Sequence, residues 1–230
     1  MIKVNNQQVN IIRKGLDKLE HAYKQSTDEE IRTVVKEKVY LDLAIQIPMF
    51  DETFEEAFGK CRMRSLREID ELRDEVFAGL DIAELPQLSE KQIKKMFKKL
   101  PDKYIRQIYN DYNAKASARP LTYYSLKVDD GTKVFIFYEN NEFFGEVVKT
   151  TPNVKGSSMY CQFCTALRMG PEIGYITKVS KSKAYNYRTK TVPCCVDGIQ
   201  CNNDIVDTGK IKEFFELKEN ENNGENCNSN

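Results

Sequence analysis

The 230-residue chain has no stretch of about 18 apolar residues, the length a membrane-spanning helix requires, so an integral helical membrane protein is excluded. Its opening, Met1-Ile2-Lys3-Val4-Asn5-Asn6-Gln7-Gln8, holds no apolar run of signal-peptide length, and a cytoplasmic location with no membrane partner is the expectation. Histidine is reduced to His21, beside which no cysteine nucleophile can be placed. None of Gly131, Gly170 and Gly174 stands in a G-x-x-x-x-G-K context, so no phosphate-cradling loop is found. The carboxylates of residues 51–75 fall at helical spacing and make a solvated face rather than an acid–base pair. Without a catalytic constellation, the chain is expected not to be an enzyme and to take no small-molecule substrate. No internal repeat is found.

Net charge is lacking too, with 35 basic and 35 acidic residues, but the balance is uneven along the chain. Residues 51–90 hold 5 basic against 12 acidic side chains, residues 91–119 hold 9 against 2, residues 149–190 hold 8 against 1, and residues 197–230 hold 3 against 8. Bulk coating of nucleic acid is therefore disfavoured, while a localised basic face for a phosphate or an acidic protein remains open. Hydrophobic residues make up 40% and charged residues 30%, which supports a packed core and excludes wholesale disorder.

The first 85 residues carry helical periodicity. Val9, Ile12, Leu16, Leu19 and Tyr23 mark one face of a first helix. Thr27-Asp28-Glu29-Glu30 has the form of a capping box opening a second helix, with Ile31, Val34, Val35, Val39 and Leu43 inward and Pro48 closing it. Phe54, Ala57, Phe58 and Cys61 suggest a third helix; Leu66, Ile69, Leu72, Val76 and Phe77 suggest a fourth, ending near Gly79. Short connections imply an antiparallel bundle. After a break at 81–86, Ser89-Glu90-Lys91-Gln92 opens a basic helix with Ile93, Met96, Phe97 and Leu100 inward, followed beyond Pro101 by a helical piece with Tyr104, Ile105, Ile108, Tyr109 and Tyr112. From residue 121 the period becomes that of strands: 121–128, 132–138 and 142–149 form a meander, and 172–180 with 184–192 a further pair. Thr208 can cap a last helix carrying Ile211, Phe214, Phe215 and Leu217. The fold class expected is α+β. An N-terminal antiparallel helical bundle (1–85) is followed by an α/β domain (86–219) with an antiparallel meander and a treble-clef-like four-cysteine zinc finger (about 155–219). A polar tail (220–230) is expected to be disordered.

The finger rests on the cysteines. Five of the seven lie within residues 161–201, while Cys61 and Cys227 stand apart. Cys161-Gln162-Phe163-Cys164 is a C-x2-C knuckle, and Cys195 and Cys201 form a C-x5-C pair, for which Cys194 is an alternative first member. Two short loops from distant segments can supply the tetrahedral corners that zinc needs, and four thiolates close the site, making it structural. A redox dithiol or free buried thiols are the competing readings, and one structural Zn²⁺ is the favoured one.

This order of elements resembles the FusB-type fusidic-acid-resistance proteins, which bind elongation factor G. Phe97-Lys98-Lys99 is similar to the family's basic segment ahead of the meander. Residues 133–138 followed by Phe144-Gly145-Glu146 are similar to its paired strands, and Cys161, Cys164, Cys195 and Cys201-Asn202 to its zinc-ligand pattern, including the unusual second spacing. The resemblance covers nearly the whole chain apart from the tail and is strongest from residue 89 onward. It implies a protein that binds elongation factor G, leaves the drug unmodified, and promotes release of the factor from ribosomes on which fusidic acid has locked it with GDP. Matched by cysteine register, the family's contact residues fall on Tyr160, Lys190 and Phe214. A further aromatic position falls on Pro193, a departure for which Tyr187 or Tyr185 could substitute from the hairpin.

The same region recommends itself on its residues alone, because Tyr175, Lys178, Lys181, Lys183, Tyr185, Tyr187, Arg188 and Lys190 interleave aromatic and basic side chains. Two alternatives stand beside that reading. Tyr175 and Phe214 would also serve as finger core, and the basic segment 149–190 would also suit ribosomal or other RNA stacked on its tyrosines. A monomer is expected.

Overall fold

The computed structural model describes residues 1–181 and 187–217, so the expected polar tail lies outside the described residues. No helix among them is long and apolar enough to cross a membrane. The chain opens with β1 (Ile2–Val4) and α1 (Asn6–Gln25). Asn5 caps α1 through a reciprocal box with Gln8: the Asn5 carboxamide accepts from Gln8 N–H at 2.9 Å, and Asn5 N–H donates to Gln8 Oε1 at 3.0 Å. Val9, Ile12, Leu16 and Leu19 are buried along one face.

In α2 (Glu29–Gln46) the cap is Asp28 and not Thr27, its carboxylate accepting from Glu30 N–H at 2.8 Å. A carboxylate also suits the positive end of the helix dipole better than a hydroxyl does. The inward face expected for α2 is narrower than its apolar pattern. Val39 and Leu43 are buried and Val35 packs against them, but Ile31 is 52% and Val34 62% exposed. Val34 stands one residue, about 100°, off the row of Val35 and Val39. Ile31 borders an open groove beside Ala22 and Gln25 at the end of α1.

The bundle is completed by α3 (Phe50–Lys60) and α4 (Leu66–Ala78). Phe50, Phe54 and Phe58 are buried together, with the Phe50 and Phe54 rings 4.9 Å apart, and Cys61 is buried at the end of α3. Gly79 ends α4 where a β-carbon would lie 2.5 Å from the Phe54 ring. The chain then enters β2 (Leu80–Ile82), which pairs in parallel with β1 and ties the two ends of the bundle together. Three-residue strands carry too short a period to be read from sequence.

Ser89 and Gln92 form the expected capping box of α5 (Glu90–Met96), which is followed by α6 (Asp102–Ala118). The strands β3 (Tyr124–Asp129), β4 (Thr132–Glu139) and β5 (Glu142–Pro152) make the meander. Then come β6 (Met159–Tyr160), β7 (Leu167–Arg168), β8 (Ile173–Lys181), β9 (Tyr187–Cys195), and two short helices, α7 (Gly198–Asn202) and α8 (Gly209–Phe215). The second strand pair is not separate: β8 joins β5, giving one antiparallel sheet of order β3-β4-β5-β8-β9. Thr208 stands at the cap of α8, but its hydroxyl makes no capping bond; the Asp207 carboxylate accepts from Gly209 N–H at 2.9 Å.

Strand β4 is buried on both faces, which explains its near-continuous apolar run. Val134 and Ile136 face α5 and α6, where Ile93, Phe97, Ile105, Ile108 and Tyr112 complete a core. Phe135 and Phe137 face the opposite way, toward Phe163, Phe214 and Phe215 of the cysteine-rich segment. Across the strand pair Phe137 lies opposite Phe144 and Ile136 opposite Gly145, and a β-carbon on Gly145 would lie 2.7 Å from the Phe97 ring.

One residue joins three of these parts through its side chain and its backbone. Asn202, 2% exposed, accepts at Oδ1 from the N–H groups of Thr122 (2.6 Å) and Tyr123 (3.2 Å). Its Nδ2 donates to the carbonyls of Tyr123 (2.8 Å) and Gly198 (2.7 Å). Its backbone carbonyl accepts from the side chains of Asn6 (2.9 Å) and Asn10 (2.6 Å) on α1. Leaving a buried group unpaired costs about 1–3 kcal/mol. Asn202→Ala should therefore lower stability in urea unfolding by about 3 kcal/mol or more, whereas Asn203→Ala, one residue along, should change it by under about 0.5 kcal/mol.

Candidate functional site

The knuckle is a tight turn between β6 and β7. Met159 pairs with Arg168 and Tyr160 with Leu167. Cys161 N–H donates to Ala166 O at 3.0 Å, Thr165 N–H donates to Cys161 O at 3.0 Å, and Thr165 takes a left-handed φ of 58° to close the loop. Gln162 N–H donates to Pro193 O at 2.9 Å, which docks the knuckle on β9. Cys195 ends β9, and Cys201 lies in α7, whose start is capped by Asp197 accepting from Ile199 N–H at 2.8 Å. That short helix starts between the two cysteines and carries Cys201 itself, which is how the C-x5-C spacing is accommodated.

The sulfurs of Cys161, Cys164, Cys195 and Cys201 all lie within 4.8 Å of one another and are buried. Cys161 and Cys201 are 3.8 Å apart and Cys164 and Cys195 3.7 Å apart. Cys194 is outside this group; it is buried with its thiol directed at the Cys195 carbonyl, 3.5 Å away. Of the two candidates, Cys195 is the one brought to the other three. The four can hold a metal ion. A tetrahedral centre with metal–sulfur bonds of about 2.3 Å has edges of about 3.8 Å, close to the two spacings observed.

The surroundings fit thiolates. Phe163 N–H points to Cys161 Sγ at 3.4 Å and Arg168 Nε–H to Cys195 Sγ at 3.5 Å. Without a cation the four thiols do not ionise alike: Cys161 and Cys164 lie below the ordinary thiol range, Cys195 and Cys201 above it. Hydrogen bonds from Cys164 and the other neighbouring thiols hold Cys161 far below the ordinary thiol range. Bonding to Cys161 and then to the other thiols, together with burial, pushes Cys201 well above it. A dication bound among them supplies the charge that lets all four ionise, and four sulfur ligands leave no open position for a reacting molecule.

The predicted contact residues separate. Tyr160, beside the first cysteine, is 67% exposed. Its cross-strand neighbour Leu167 is 54% and Met169 61% exposed, an apolar group missed from the sequence although both follow the knuckle on alternate positions. Lys190 is exposed, with Nζ 3.0 Å from Glu213 Oε1 and 5.9 Å from the Phe214 ring centre. Phe214 itself corrects the expectation of a surface contact: it is 1% exposed, because α8 turns both of its phenylalanines inward, Phe214 against Phe163 at 5.7 Å and Phe215 against Phe137 at 4.8 Å. The backbone of Tyr187 begins β9, but its side chain, like the whole of Tyr185, lies outside what is described. Tyr175 is half-buried, its hydroxyl directed at Met159 Sδ. Lys178 is drawn inward to Phe215 O at 2.7 Å between Glu146 and Glu216, each at 3.7 Å, so it is not a free cation for RNA.

No protein-family model and no curated protein matches the chain. Among solved structures it is similar to the fusidic acid resistance protein FusC, with a TM-score of 0.69 over 93% of this chain and 96% of that one, at 16% identity. The likeness is one of fold, and it takes in the helical and the cysteine-rich halves together.

Purified protein should carry about one metal ion per chain by elemental analysis. Cys164→Ser should abolish that stoichiometry and unfold the segment around β8, β9 and α7 in hydrogen-exchange measurements. A strong chelator should have the same effect on the unmodified protein.

Proposed function

We propose that this protein binds elongation factor G and promotes its release from ribosomes stalled by fusidic acid, without modifying the drug, and that its four-cysteine centre holds one structural Zn²⁺. The observation that carries the reading is the agreement of fold with a fusidic acid resistance protein along nearly the full length of both chains. The exposed group formed by Tyr160, Leu167 and Met169 beside the metal centre supports it, since a partly exposed aromatic flanked by aliphatic side chains suits the centre of a protein interface.

In this reading no bond of the drug or the nucleotide is broken. The protein acts by binding more tightly to a conformation of the factor that holds the ribosome less well, and the difference in affinity is the whole of its driving force. The finger then presents a rigid surface: the knuckle is tied to β9, and Arg168 is clamped between the Cys195 thiol and the Asp204 carboxylate. Lys190, held over the edge of the site by Glu213, adds positive charge at the rim, where it affects encounter rate more than residence.

Calorimetric titration of the zinc-loaded protein into elongation factor G, without ribosomes or RNA, should give saturable binding. Tyr160→Ala should weaken it by about 30-fold, as for a central interface anchor, and Lys190→Ala should mainly slow association. Absence of heat and of co-elution, with retention on ribosomal RNA that falls steeply with salt, would support RNA as the partner instead.

A further inference from the structure

We propose that Lys133 is the buried counter-charge of a tetrathiolate metal centre. This rests on the metal reading of the four cysteines and goes beyond it, because it assigns a role to a residue that is not a ligand.

Lys133 is only 3% exposed, on a strand whose same-face neighbours Phe135 and Phe137 are core phenylalanines. Its ammonium donates to the carbonyls of Cys195 at 2.9 Å and Val196 at 3.0 Å, and lies 5.3 Å from the Phe135 ring centre. Among the described residues no carboxylate is within ion-pairing distance of it. A buried ammonium with dipoles but no anion is unfavourable, and an apolar side chain of the same length would pack this face at less cost. The compensating charge is at the other end of the residue it grips. Four thiolates and a dication leave two negative charges in the interior, and Lys133 reaches across the sheet face from β4 to the backbone that carries the third ligand and leads to the fourth.

Two further groups complete the pattern. Arg168 points its Nε–H at the Cys195 sulfur, but its charge is shared with Asp204, so it offsets the centre only in part. Tyr123 is fully buried, its hydroxyl finds no hydrogen-bond partner among the described residues, and Cys201 is among the groups acting on it. That hydroxyl is the donor a Cys201 thiolate would take. Among the described residues, Lys133 is thus the buried cation around the site whose charge no carboxylate shares. It favours the metal-loaded fold and disfavours the empty one, in which the negative charge it balances is missing.

The test compares full-length wild type, Lys133→Met and Lys133→Arg, with Val134→Ala, on the opposite face of β4, as a packing control that removes no charge. Zinc content of the wild type is measured first. A wild type that holds neither Zn²⁺ nor Co²⁺ overturns the metal centre and this proposal together. With metal present, K133M should release zinc to a chelating dye about 10–100-fold faster than wild type, the size of effect that outer groups have on metal sites. It should also alkylate faster at its metal-bound sulfurs and shift the sulfur-to-cobalt absorption band of the Co²⁺ form. K133R should restore these properties, and V134A should leave the band and the alkylation rate unchanged. Wild-type release, alkylation and absorption in folded K133M would overturn this proposal while leaving the metal centre standing. Should K133M fail to fold, Arg168→Gln decides by the same three measurements: a smaller change in the same direction supports the charge balance, and no change overturns it.

Discussion

Four thiols within 4.8 Å of one another cannot all carry charge unless a cation lies among them, and the C-terminal half of this protein is arranged around that constraint. The segments that supply the sulfurs are short: a two-residue strand on each side of the knuckle, the end of one long strand, and a single helical turn. Such pieces are too small to hold their positions by local propensity. Phe163 of the knuckle packs with Phe214 and Phe215 of α8 on the finger-facing side of β4. Packing brings the pieces together; a bound cation would fix their register.

The constraint propagates to the other end of the molecule through Asn202, next in sequence to the last of the four cysteines. Its carboxamide completes the hydrogen bonding of the chain entering β3, and its carbonyl receives two asparagine side chains from α1. Gln7, Asn10 and Lys14 donate to the carbonyls of Val206, Ile205 and Asp204 along the same stretch. The contact between the helical bundle and the finger is therefore polar and directional rather than apolar. It fixes orientation without needing a large hydrophobic interface.

What could be read from the sequence follows the range of the forces involved. Helices α1, α3, α4 and α6 and the meander carry long periodic patterns, and each of these elements forms. The cysteine spacing pointed to the cluster because soft ligands in a short window have few other uses. Failures came where local pattern and tertiary partner disagree. Ile31 and Val34 fit an inward stripe but meet no covering helix. Phe214 matched a contact position by register, yet the turn of α8 places it under Lys190 in the core. Strands β1 and β2 are paired over 78 residues of sequence separation and have no local signature. In the sequence Lys133 reads only as part of a strand, since burial of a lysine is visible only once both faces of β4 are filled.

In the function proposed, the exposed side of the finger is where this scaffold would meet its partner, and its rigidity would allow contact energy to be spent on changing the partner instead of ordering the protein itself. The most direct test is release of the factor. Ribosomes loaded with elongation factor G, GDP and fusidic acid are pelleted with and without the zinc-loaded protein, and the factor is measured in the supernatant. The account predicts that the factor moves to the supernatant as the protein is added, with the drug still present and chemically unchanged. A factor that stays in the pellet at every protein concentration, or a drug recovered in altered form, would contradict it.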